Sequence, residues 1–96
     1  MKKKTNKTQD LKWINDTFAI SNVNNYSDTL TFFNLHLRTN AGDITVYGCK
    51  VITGEKGDFI SFPSRKGEDD KYYNYVYIDL SEEIRNSIID EIGTMI

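Results

Sequence analysis

Residues 44–64, ITVYGCKVITGEKGDFISFPS, read as two strands joined by a tight glycine turn and closed by the chain's only proline. Ile44, Val46 and Gly48 alternate with Thr45, Tyr47 and Cys49, and Val51 and Ile52 complete the first strand. The turn is Thr53-Gly54-Glu55-Lys56-Gly57-Asp58, whose two glycines allow, at little steric cost, the positive φ that a short hairpin loop with a bulge needs. Phe59-Ile60-Ser61-Phe62 forms a short second strand, and Pro63 ends it because proline has no N–H to give to a ladder. Ser64-Arg65-Lys66-Gly67 follows, polar and basic, so the hairpin delivers a cationic loop to one edge of a sheet.

Upstream, residues 11–23 read as a first strand with Ile14, Asp16, Phe18 and Ile20 on one face. Asp16 breaks the apolar side, which suits a bulge or an edge strand. Residues 22–28, NVNNYSD, form a turn cluster. Residues 30–38 are a second strand whose core face is Thr31, Phe33, Leu35 and Leu37, and residues 39–43 form a hairpin loop. Downstream, RKGEDD (65–70) is a charged loop and KYYNYVYI (71–78) a fifth strand. Tyr73, Tyr75 and Tyr77 project from one face of that strand, and Tyr72, Asn74, Val76 and Ile78 from the other, core side. Ser81 is a natural helix N-cap, Glu82 and Glu83 suit the positive end of the first turn, and Ile84, Ile88 and Ile92 recur at helical spacing, widened by Ile89. Gly93 is a plausible stop just past the helix end. Five strands followed by one helix predict an α+β fold with a mainly antiparallel five-stranded sheet.

Ninety-six residues suffice for one domain with a small core, a size often supplemented by dimerisation. The domain is assigned to residues 11–96, after a basic N-terminal arm, residues 1–10. That arm, MKKKTNKTQD, has too little apolar surface to offset its ordering entropy and is expected to be flexible. The net charge of −2 does not advertise nucleic-acid binding, but residues 1–12 carry a local +4 and residues 79–96 a local −4. The lone Cys49 excludes an intrachain disulfide and suits a reducing compartment. The basic start lacks the apolar segment of a secretory signal, and no apolar run reaches the roughly 20 residues of a membrane span. These features predict a soluble, cytoplasmic protein.

Catalytic chemistry finds little support. His36 alternates with Asn34 and Arg38 on the polar side of a strand, where a solvent-facing role is the simplest reading. Cys49 falls in a buried-strand pattern and reads as a small hydrophobe. Glu68, Asp69 and Asp70 sit in succession on one loop, which reads as a solvated turn rather than a metal site. The chain is therefore expected to be a non-enzyme without metal or cofactor.

A single-strand nucleic-acid binder needs cations along a groove and flat rings on which bases stack. Lys50, Lys56, Arg65, Lys66 and Lys71 supply cations around the central hairpin, and Tyr73, Tyr75 and Tyr77 supply rings at strand spacing. The competing roles are packing of the tyrosines against the helix or a dimer mate, and a solvated turn for Arg65-Lys66. The helix is excluded as a phosphate-binding face because Glu82, Glu83, Asp90 and Glu91 would repel it.

Lys50-Val51-Ile52, Gly54, Gly57, Phe59-Ile60 and Phe62-Pro63-Ser64-Arg65-Lys66 together resemble the central signature of the SpoVG family. The resemblance implies a small bacterial β-rich dimer with a C-terminal helix that binds nucleic acid in a regulatory role, in sporulation or virulence. It carries a nucleic-acid role to Arg65 and Lys66. The chain departs from the family in its longer basic N-terminus, its tyrosine-rich fifth strand and the absence of a proline before the helix. The expected function is a homodimeric single-stranded nucleic-acid (ssDNA) binding protein with little sequence preference, of phage or mobile-element type. Two alternatives are a SpoVG-like site-specific DNA- or RNA-binding regulator and a protein–protein module that inhibits a host factor.

Overall fold

The computed structural model describes residues 11–96, so the expected basic arm lies outside the described residues. Seven strands precede one helix: β1 (Lys12–Trp13), β2 (Phe18–Ser27), β3 (Leu30–Thr39), β4 (Gly42–Gly54), β5 (Gly57–Ser61), β6 (Ser64–Lys66), β7 (Tyr72–Asn74) and α1 (Glu82–Gly93). The first five form an antiparallel meander in the order β1-β2-β3-β4-β5, and β6 and β7 make a separate two-stranded ribbon. The expected α+β architecture, a five-stranded antiparallel sheet followed by a C-terminal helix, is present.

Sheet membership differs from the sequence reading at three places. Residues 11–23 are not one strand. The Asn15 side-chain oxygen accepts from the N–H groups of Thr17 (2.8 Å) and Phe18 (2.7 Å), and this Asx turn folds the segment into the β1–β2 hairpin. Residues 22–28 are mostly strand rather than turn. β3 offers a full ladder opposite them, and two register irregularities, with Asn22 at φ 54°, absorb the polar run before Ser27.

The fifth expected strand, residues 71–78, is cut to Tyr72–Asn74 and pairs with Ser64–Lys66 instead of joining the main sheet. Pro63 explains the cut. Its carbonyl accepts from the Tyr75 N–H (2.8 Å), but it has no N–H to continue the ladder. The chain then leaves the ribbon, and Val76, Ile78 and Leu80 turn in against the core.

Alternation places the core on one side of the sheet. Phe33 and Leu35 on β3, Val46, Cys49 and Val51 on β4, and Ile20 on β2 are buried together with Phe62 and Leu80. Helix α1 seals this face with Ile88 and Ile92, while Ile84 and Ile89 pack at its margin. Full burial of each such side chain contributes about 1.5–3 kcal/mol. Ser81 caps the helix as expected, its hydroxyl accepting from the Ile84 N–H (3.2 Å). The stop differs by one residue. Gly93 is the last helical residue and Thr94 is the cap, its hydroxyl donating to the Glu91 carbonyl (2.7 Å). Lys12 pairs with Glu91 (3.6 Å) and ties the first hairpin to the helix.

The β4–β5 hairpin closes with Gly54 opposite Gly57, leaving only Glu55 and Lys56 in the turn. Gly57 takes φ 123°, and the Thr53 hydroxyl donates to Asp58 (2.7 Å) across the pair before it. Among the described residues, no helix is long and apolar enough to cross a membrane.

Candidate nucleic-acid interface

The β6–β7 ribbon brings together three of the eight sequence-predicted binding residues, Arg65, Lys66 and Tyr73. Arg65 lies opposite Tyr73, Lys66 opposite Tyr72, and Ser64 opposite Asn74. Directly opposed residues of an antiparallel pair share a face. The ribbon therefore carries a cation–tyrosine pair on each side rather than one basic patch. The Arg65 guanidinium sits 5.5 Å from the centroid of the Tyr73 ring, within cation–π range. Lys66 reaches Asp70 (3.7 Å), an exposed pair that contributes little to stability.

The loop between the strands shapes the Tyr73 side. The Gly67 N–H donates to the Lys71 carbonyl (2.7 Å), the Asp70 N–H donates to the Gly67 carbonyl (3.1 Å), and Asp70 takes φ 65°. Tyr73 donates its phenol to Asp69 (2.5 Å), and Asp69 also accepts from the Lys71 N–H (3.1 Å). The Tyr73 bond, followed by the Lys71 bond, holds the Asp69 carboxyl below its ordinary range. The same Asp69 bond raises the Tyr73 phenol. A side chain at Gly67 would meet the Tyr73 ring at 2.7 Å and Asp69 at 3.0 Å, so glycine is what lets the ring lie across the turn. Arg65, Gly67, Glu68, Asp69 and Tyr73 line an open hollow of about 440 Å³.

The other predicted residues are dispersed. Lys71 borders the ribbon at the start of β7. Lys50 is half-buried within the large sheet, between Phe32 and Ser61, and Lys56 occupies the β4–β5 turn. Tyr75 and Tyr77 lie beyond the end of β7, 70% and 66% exposed, and Tyr77 sets its ring edge-to-face on Phe62 at 5.7 Å. They do not form a single strand-spaced row with Tyr73, because the ribbon ends at Asn74. Tyr72, read as core-facing, is 70% exposed, since it faces Lys66 on the far side of the ribbon. No signal in the sequence pairs Tyr72 with Lys66, because that depends on the register of a three-residue ladder.

The residues set aside for catalysis are engaged structurally. His36 is half-buried, its Nε2 2.7 Å from the Ser21 hydroxyl and its Nδ1 3.1 Å from the Thr45 hydroxyl. Burial lowers its pKa, and Asp43 offsets part of that shift. Cys49 is fully buried, and burial pushes its thiol up to about 11. Among the described residues, no group of three or more His, Cys, Asp or Glu side chains is arranged to hold a metal ion.

The family model SpoVG matches residues 20–95, from β2 through the end of α1. Curated relatives named "Putative septation protein SpoVG" match about half of the chain. The protein from Symbiobacterium thermophilum is 37% identical over 57 residues, covering 56% of this chain and 41% of the relative. That from Archaeoglobus fulgidus is 38% identical over 50 residues, covering 52% and 58%. That from Agathobacter rectalis is 40% identical over 57 residues, covering 56% and 66%. The chain thus spans about two fifths to two thirds of the length of these relatives. No solved structure matches it. A match that runs through the sheet, the Pro-Ser-basic-basic ribbon and the capping helix makes this chain a member of the SpoVG family.

Proposed function

We propose that the protein is a SpoVG-like regulator that binds nucleic acid, favours single strands, and makes its first contacts through the β6–β7 ribbon. The observation that carries this reading is the exposure of four tyrosines on and just after the ribbon, Tyr72, Tyr73, Tyr75 and Tyr77, at 45–70%. Exposed rings of this size are costly to leave in water, and unpaired bases stack on them at about 1–3 kcal/mol per base. Arg65, Lys66 and Lys71 supply phosphate contacts beside them. Glu68, Asp69 and Asp70 on the intervening loop offset those charges, so stacking rather than net charge carries the affinity.

Fluorescence anisotropy of a labelled oligo-dT, with unlabelled duplex as competitor, tests the reading. Salt-sensitive binding that duplex competes poorly supports it. A second reading, duplex recognition at particular sites, draws on the ribbon itself, because the major groove of B-DNA admits a two-stranded β-ribbon. Efficient competition by duplex would favour that target. Failure to bind any oligonucleotide would move the assignment to a protein partner.

A further inference from the structure

We propose a second contact surface for the same single strand, on the sheet face opposite α1, centred on Tyr47 and Lys50. The inference rests on the nucleic-acid reading above and extends it to residues outside the ribbon.

The cross-strand register defines this face. Trp13 lies opposite Ala19, Ala19 opposite His36, and His36 opposite Thr45. Farther along, Phe32 lies opposite Lys50 and Lys50 opposite Ser61, while Ile52 lies opposite Phe59. All of these alternate with the buried Phe33, Leu35, Val46 and Val51 that pack under α1. They therefore point away from the helix.

Tyr47 reaches the centre of the face through a bulge. Phe33 pairs with Cys49 and Leu35 with Val46, so Tyr47 and Gly48 together oppose the single residue Asn34. Gly48 takes φ 80° and donates its N–H to the Asn34 side-chain oxygen (3.3 Å). The bulge leaves the Tyr47 ring 71% exposed in the middle of the sheet.

Three other exposed rings share the face. Trp13 is 38% and Phe59 48% exposed, and Tyr26, 72% exposed, stands edge-on to Phe32 with centroids 6.1 Å apart. Two cations accompany them. Arg38 lies 4.1 Å over the Trp13 ring, and Lys50 forms the end pair of the β4–β5 ladder, opposite Ser61. One carboxylate, Asp43, opposes Arg38.

This composition suits an unpaired strand better than a dry protein partner. The rings are separated by Asn34, His36, Thr45 and Ser61 instead of forming one apolar patch. Separated rings with interspersed cations are the elements of a stacking platform. The ribbon follows this face closely in the chain, since Ser61 ends β5 opposite Lys50 and Ser64 begins β6.

The test compares oligo-dT anisotropy of the full chain, wild type, Tyr47→Ala, Tyr47→Phe and the double variant Arg65→Ala/Tyr73→Ala, with solution mass measured for each. Tyr47 is exposed, so its removal leaves the core intact. The expected result is a loss of about fivefold or more in affinity for Tyr47→Ala, retention in Tyr47→Phe, and a separate loss in the ribbon variant. Wild-type affinity in Tyr47→Ala, with loss in the ribbon variant, overturns this surface and leaves the ribbon reading standing. Conversion of a wild-type dimer to a monomer by Tyr47→Ala also overturns it, since the face would then be a subunit contact. Absence of wild-type binding overturns both.

Discussion

Arg65 and Tyr73 face each other across a three-residue ribbon, the guanidinium 5.5 Å from the ring centroid, and Asp69 holds the far end of that ring by its hydroxyl. The ring is thus fixed from two sides while 45% exposed. Such a ring loses little conformational freedom when a base stacks on it, which is the advantage of preorganisation. Tyr73→Phe removes the Asp69 bond and keeps the ring. It is expected to bind oligo-dT no more than a few-fold more weakly than wild type, whereas Tyr73→Ala loses about fivefold or more, read by anisotropy.

Gly67 makes that placement sterically feasible. In Gly67→Ala the new Cβ falls 2.7 Å from the ring and 3.0 Å from Asp69, so the Tyr73–Asp69 bond is expected to open. The raised Tyr73 phenol should then titrate at a lower pH, nearer its ordinary value, and the Asp69 carboxyl should titrate higher. NMR titration of both groups in wild type and variant checks this, and unchanged curves would contradict it.

The core gives a simpler expectation. Ile88 is fully buried between α1 and the sheet, so Ile88→Ala should cost about 2–5 kcal/mol. That is a large share of the roughly 5–15 kcal/mol that holds a small domain together. Ile89 is only half-buried, and Ile89→Ala should cost less. Denaturant unfolding of the two variants measures the difference.

His36 links stability to pH. Its folded pKa is lowered below the ordinary 6.5, by burial first, so the unfolded chain binds the proton more readily. The stability contributed by neutral His36 is present in full above pH 6.5 and is lost as pH falls through the folded value. Melting temperature should therefore fall on acidification below 6.5, and His36→Gln should flatten the profile in that window.

Cys49 provides a probe of opening. With the thiol fully buried and its pKa near 11, the native protein should react negligibly with a thiol reagent at pH 8. Full reaction is expected only in denaturant.

The central hairpin and helix were legible from residue type alone. Gly54 and Gly57 mark the turn, Phe33 and Leu35 alternate with polar residues, and Ser81 precedes an isoleucine stripe. What escaped depended on hydrogen bonds made at a distance in sequence. Asn15 splits the first strand through its side chain, and β3 recruits residues 24–27 that read as a turn. The tyrosine strand obeyed alternation only as far as Asn74, because its partner begins just after Pro63. The cations were legible, but their division between the two faces of the ribbon follows from register, which periodicity within one strand does not supply. Tyr47 was legible as an alternating residue, but its place at the centre of an uncovered face follows from the Gly48 bulge.

The most direct measurement is the anisotropy of labelled oligo-dT against wild type and Arg65→Ala/Lys66→Ala at two salt concentrations, with unlabelled duplex as competitor. The expected result is single-strand binding by wild type that duplex competes poorly. The double variant should bind more weakly, with a salt slope reduced by about 1 to 1.5, as loss of two phosphate contacts requires. Equal affinity and equal slope in wild type and variant would contradict the ribbon as the nucleic-acid interface.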